Sequence, residues 1–188
     1  VTRANPSGDA TENREDGKVL RPRIHESVFI ARGAQIYGDV EIGEGSSVWF
    51  NAVIRGDEGK IVIGRNTNIQ DNAVVHSDGE MPVEIGDNVT VGHGAVIRAC
   101  KLGNGVMVGM NATVMSGVEI GERSIVGANS FIGYNKKFPP RSLITGVPAK
   151  LARELSLAET AINDAAPQIY QQLVEKYRLG IFAGLEND

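Results

Sequence analysis

Ile85-Gly86-Asp87-Asn88-Val89-Thr90-Val91-Gly92-His93-Gly94-Ala95-Val96-Ile97 carries an aliphatic residue at every sixth position, with glycine after the first two. Six helical steps of about 100° end about 120° from their start, so no helix face collects these side chains. Three flat sides of six residues do collect them, stacked in columns. Upstream the same spacing runs through Ile24, Ile30, Ile36, Ile42, Val48 and Ile54, and then Ile63, Ile69 and Val75. Downstream, after a one-residue slip, it continues through Leu102, Val108, Val114, Ile120, Val126 and Ile132. The pattern predicts an all-β solenoid with coils of about 18 residues, each burying its apolar face against its neighbours. An antiparallel sandwich with glycine turns would space its strands irregularly. The period does not fix the hand of the coil, and the crossover rule for parallel strands favours right-handed winding.

The flanks differ from this repeat. Residues 1–20 are polar and aperiodic and read as a flexible arm, leaving 21–150 as the solenoid domain. After Gly146-Val147-Pro148-Ala149-Lys150 the chemistry changes, and 151–188 is expected to be a helical segment. Ser156 and Glu159 are spaced as a capping box, and Leu157, Ala161, Ile169, Leu173, Val174 and Tyr177 suggest an amphipathic helix that Pro167 kinks or divides. Such a helix is expected along a solenoid side or against a neighbouring subunit.

The 188 residues carry a net charge of −4 with scattered Lys and Arg, which argues against nucleic acid or an anionic membrane as partner. A single cysteine, Cys100, cannot form an intrachain disulfide, and no long apolar span or signal-peptide pattern is visible. The expectation is a reducing compartment, the cytoplasm. Cys100 reads as an inward-packed or interface thiol and His25 as structural.

Chemistry is expected where the period breaks. On the third side, defined by Ile36, Ile54, Val75, Ile97, Val114 and Ile132, two hexads are followed by extra residues. Ile63 stands nine positions after Ile54, and Ile85 ten after Val75, so two loops should leave one corner of adjacent coils. The residue after each aliphatic points outward, which stacks Tyr37, Arg55, His76, Arg98 and Met115 in one column. His93 falls on the second side, too far round one coil to share an ion with His76. A neighbouring copy could bring it there.

Ile54-Arg55-Gly56-Asp57-Glu58-Gly59, Asn68-Ile69-Gln70-Asp71-Asn72, Val75-His76 and Val91-Gly92-His93 resemble the γ-class carbonic anhydrases, over roughly residues 22–155. The resemblance implies a left-handed β-helix and a homotrimer with its site at the subunit interface. It implies zinc, or iron or cobalt, held by three histidines, of which His76 and His93 match two. Glu58 would shuttle protons or orient substrate, Arg55 and Asp57 would form an interface ion pair, and Gln70 and Asp71 would hold a water network. A purely structural role for Arg55 and Asp57 stays open. The third ligand belongs five residues after His93, where this sequence has Arg98. A guanidinium is a permanent cation without a lone pair, so hydration of carbon dioxide by a metal hydroxide is expected to be weak or lost, and no metal need bind. Arg98 could instead pair with Asp71, Glu58 or another interface acid.

Three other functions stay open, and with them whether the chain is an enzyme. Ile169-Tyr170-Gln171-Gln172-Leu173 with Tyr177-Arg178 is similar to γ-carbonic-anhydrase-like proteins of phenylacetate and carnitine catabolism, which implies a CoA-thioester hydrolase. Gly146–Lys150 resembles the end of the coil in hexapeptide acyltransferases. A damaged ligand set also suits a non-catalytic assembly subunit.

Overall fold

A computed structural model describes residues 19–79, 81–182 and 184. Short strands climb a triangular β-solenoid of about seven turns, and one helix follows them. The arm assigned to residues 1–20 lies outside the described residues except for Val19 and Leu20, both exposed.

Parallel pairing from coil to coil satisfies the backbone and fixes the columns. On the third side Ile36, Ile54, Val75, Ile97, Val114 and Ile132 stand opposite one another in that order. On the second side Val48, Ile69, Val91, Val108, Val126 and Ile144 do the same. These aliphatics form one continuous buried core, with Ile36 of the first coil half-buried against it. The hexad columns were therefore readable as written. Where the spacing slips to five residues, Ala99 is drawn to φ +37° and Cys100 turns into the core, and burial pushes its thiol up to about 12.

The period breaks take a form the sequence did not indicate. The first is not a loop: Val53–Ile63 is one strand that runs through the corner. Its extra residues are absorbed by a register shift between Gly38 and Val40 of the preceding coil, so Asp57 and Glu58 ride on strand. The second is a tight excursion closed by the Asp78–Met81 bridge.

Beyond the last coil, Ala149–Glu154 folds back antiparallel on Ser142–Gly146, so residues 151–154 are strand and the helix begins later than expected. The helix spans Leu157–Arg178 with the capping box intact. Pro167 does not divide it. Thr160, Asn163, Pro167, Tyr170, Val174 and Tyr177, spaced three and four apart, form the face turned to the solenoid, so the proline ring is part of the packed surface. Leu157 and Ile169, read as apolar-face residues, are instead exposed. The helix runs back down the coils. Asn163 Nδ2 donates to Gly105 O at 2.8 Å, Gln171 Nε2 to Asn66 Oδ1 at 2.7 Å, and Arg178 Nη2 to Ser27 O at 2.6 Å. Fifteen residues at about 1.5 Å each match about four to five coils at about 4.8 Å. Trp49 anchors it, with ring centroids 5.3 Å from Tyr170 and 5.5 Å from Tyr177.

Hydrogen bonds from Arg153 and from the backbone and hydroxyl of Ser156 hold the Glu159 carboxyl down at about 2. A depressed carboxylate contributes stability that is present above its ordinary value and is lost as pH falls through the folded one. Acidifying from about pH 5 to about pH 2 should lower amide protection in the first helical turn, each rate taken relative to the intrinsic exchange rate at that pH, and Glu159→Ala should show the low protection throughout.

Candidate functional site

The outward column forms as the sequence expects: Tyr37 pairs with Arg55, Arg55 with His76, and His76 with Arg98 on consecutive coils. Each of the Arg55, His76 and Arg98 side chains is then held by a carboxylate. Asp57 sits between Arg55 and His76: its Oδ2 takes the Arg55 Nη1 hydrogen bond, and its Oδ1 lies 3.1 Å from His76 Nε2. Burial alone would raise the Asp57 carboxyl, but bonds from Arg55, its own backbone and His76 outweigh it and bring it below the usual range. Arg55 and Asp57 thus pair within one chain.

Arg98 finds a partner that was not singled out. Its Nη2 lies 3.0 Å from Asp78 Oδ1 and its Nε donates to Oδ2 at 3.2 Å, a two-pronged fork. The Ser116 hydroxyl donates to the same Oδ2 at 2.8 Å. Arg98 and Ser116 together hold the Asp78 carboxyl below its usual range. The expected partners Asp71 and Glu58 are not bonded to Arg98, although Glu58 favours its cationic form through charge. Asp78 was recognisable only as a residue of the second insertion, since nothing in the sequence shows how far that turn reaches back.

His93 is placed differently from the expectation. It stands in the corner turn after Thr90–Val91, not on the second flat side. The corner needs a left-handed residue on every coil, supplied by Asn72, Gly94 and Asn111 in turn. A Cβ at Gly94 would lie 2.4 Å from Asn111 Oδ1. The residues before them, Asp71 and His93, therefore stack, with Gly94 N donating to Asp71 O at 2.9 Å. His93 Nδ1 lies 2.7 Å from Asp71 Oδ2, an arrangement that orients the ring and leaves Nε2 outward. Gln70 Oε1 accepts the His93 backbone N–H at 3.2 Å, and Gln70 Nε2 donates to Asn68 Oδ1 at 3.0 Å, a buried polar ladder beneath the turn. Among the described residues of one chain, no three His, Cys, Asp or Glu side chains gather as a metal ion would require.

Residues 21–56 and 99–134 match the family model for bacterial transferase hexapeptide (six repeats), and residues 60–99 match that for the hexapeptide repeat of succinyl-transferase. The chain is 54% identical over 136 residues to "Probable carbonic anhydrase" of Methanocaldococcus jannaschii, covering 72% of this chain and 86% of that protein. The chain belongs to the γ-carbonic-anhydrase-like hexapeptide-repeat family.

Other members show its breadth. Gamma carbonic anhydrase 2, mitochondrial, of Arabidopsis thaliana is 40% identical over 160 residues, 82% of this chain, which spans only 58% of that relative's length. The carnitine operon protein CaiE of Escherichia coli is 34% identical over 86% of this chain and 83% of its own. Among solved structures, a hexapeptide transferase family protein from Anaplasma phagocytophilum superposes with a TM-score of 0.81 at 38% identity, covering 84% of this chain and 93% of that one. The hand of this family member's coil is accordingly left. No helix among its described residues is long and apolar enough to cross a membrane.

Gln70 is buried and joins His93 to the ladder below. Gln70→Ala should cost about 1–3 kcal/mol by leaving these groups unpaired, read as a lower urea midpoint without a change in slope.

Proposed function

We propose that this protein is a γ-carbonic-anhydrase-like homotrimer in which hydration of carbon dioxide is weak or lost. One observation carries the reading: the position where the family's third histidine belongs holds Arg98, forked onto Asp78. The chain retains the oriented His93 and the outward His76, yet this donor set does not fit a three-histidine centre. The third group has no lone pair, and its cation would repel an ion. Without that centre, His76, Arg55 and Asp57 serve the subunit face as a charged cluster. Asp71 and Gln70 fix His93, and Glu58 balances Arg98.

The three outward faces support the trimer. The first side stacks Arg23 on Glu41 and, beyond Val62, Glu84, Lys101, Glu119 and Lys137, with Lys101–Glu84 at 2.7 Å and Lys137–Glu119 at 2.6 Å, as suits water. The second side lies beneath the helix. The third presents Val53, Val74 and Val96, only half-buried, then Thr113 and Phe131, with Tyr37 exposed at 61% and Met110, at the corner beside that face, exposed at 53%. It is the apolar face left for another copy, and it carries the His76–Arg98 column.

The tail residues whose resemblance implied thioester hydrolysis are engaged in docking the helix: Gln171 on Asn66, Arg178 on Ser27, Tyr170 and Tyr177 on Trp49. Likeness to the Anaplasma hexapeptide transferase family protein favours group transfer as the second reading; its acyltransferase form is tested by calorimetry with acetyl-CoA, where no heat of binding removes it.

Metal analysis of the purified protein with stopped-flow hydration of carbon dioxide tests the main proposal. The expected outcome is metal well below one per subunit and a rate near the uncatalysed one. Stoichiometric metal with rapid hydration contradicts it. Val74→Glu should shift the sedimenting species from trimer to monomer, since a carboxylate on the apolar face is left without a partner.

A further inference from the structure

The Arg98 fork reaches further than one ion pair. Asp78 closes the second insertion, donating its N–H to Met81 O at 3.3 Å and accepting the Met81 N–H at 3.1 Å. Ser116, on a later coil, donates to the same carboxylate, so three separate segments converge on Asp78. Ser77, beside it, is fully buried, and its Oγ has no hydrogen-bonding partner among the described residues. Gly59 of the first insertion packs so closely that an added Cβ would lie 2.5 Å from Gly79 O and 3.3 Å from Ser77 Cβ. The two insertions are interlocked, and Arg98 is the cation that fastens them to the third side.

We infer that the Arg98 guanidinium is a built-in substitute for a bound metal ion, holding both insertions closed through Asp78. The inference rests on the reading that this chain carries no resident metal. A metal at this corner would tie neighbouring coils together by drawing several donors onto one positive centre. The guanidinium achieves the same closure with donors in place of an acceptor-seeking ion, and its second Asp78 contact fixes direction as well as distance. The closure of the turn at Asp78 and Met81 then belongs to the polypeptide alone.

Hydrogen exchange resolved to the amides of residues 77, 78, 79 and 81, on the full chain with and without EDTA or zinc, tests this. Wild type should exchange at the same rate in all three conditions. Arg98→Met and Asp78→Asn should each exchange about tenfold faster at these residues, in proportion to the local closure lost, with the core columns unchanged. The double variant should be no faster than either single one. Arg98→Lys should stay fast, because an ammonium cannot fork. Arg98→His should be fast without zinc and return toward the wild-type rate with it, one ion replacing the other. Unchanged exchange in both Arg98→Met and Asp78→Asn overturns the inference, as does Arg98→His that zinc fails to slow. Metal content of the same wild-type samples separates the two claims. Stoichiometric metal with EDTA-sensitive exchange overturns the proposed function, whereas metal-free protein with unaltered variants overturns the strut alone.

Discussion

Coil-to-coil pairing in strict register is the constraint on which everything else stands. Each strand is only two or three residues long across much of the solenoid and has no stability of its own. Its backbone groups are satisfied by the coils above and below, and its single inward aliphatic is buried by the same neighbours. The register therefore cannot slide by one residue without turning an entire column of Ile and Val outward. That rigidity makes residues about twenty apart in sequence vertical neighbours. Arg55, His76 and Arg98 meet because Ile54, Val75 and Ile97 must.

The three faces then divide the work by what each column exposes. Alternating charges on the first side suit solvent. The polar residues Ser47, Asn68 and Thr90 on the second are buried, and Asn68 Nδ2 donates to Thr90 Oγ1 at 2.9 Å, because the returning helix covers them. The third side keeps its valines uncovered and places the histidine and arginine column at their edge. The corner between second and third sides adds Asp71 and His93. In the proposed trimer a neighbouring copy would bring the corner of one subunit to the flat side of the next, which sets the His93 corner and the Arg55–His76–Arg98 column beside the same apolar face.

Much of this was legible in the sequence because a six-residue period maps linearly onto height and side. The core columns, the outward Arg55–His76–Arg98 row, the capping box and the buried Cys100 follow from counting and from local chemistry. What escaped has a common physical origin in places where counting stops. The extra residues after Ile54 look like a loop, yet edge pairing across a register shift keeps Val53–Ile63 extended. The partner of Arg98 depends on the path of a short turn, so Asp78 and Ser116 could not be distinguished from other polar residues. Leu157 and Ile169 misled because the buried helix face is mixed: it includes Thr160, Asn163 and Pro167 and is defined by the shape of the coils beneath. His93 was displaced by the corner, where a left-handed residue ends the flat side one step earlier than even division suggests.

The most direct measurement is an anomalous difference map from crystals of the full chain grown with excess zinc, with data on both sides of the zinc edge. The account predicts no peak between His76 and the His93 of a neighbouring copy, with the Arg98 guanidinium still forked on Asp78. A strong peak there, within coordination distance of both histidines and with Arg98 swung away, would contradict it.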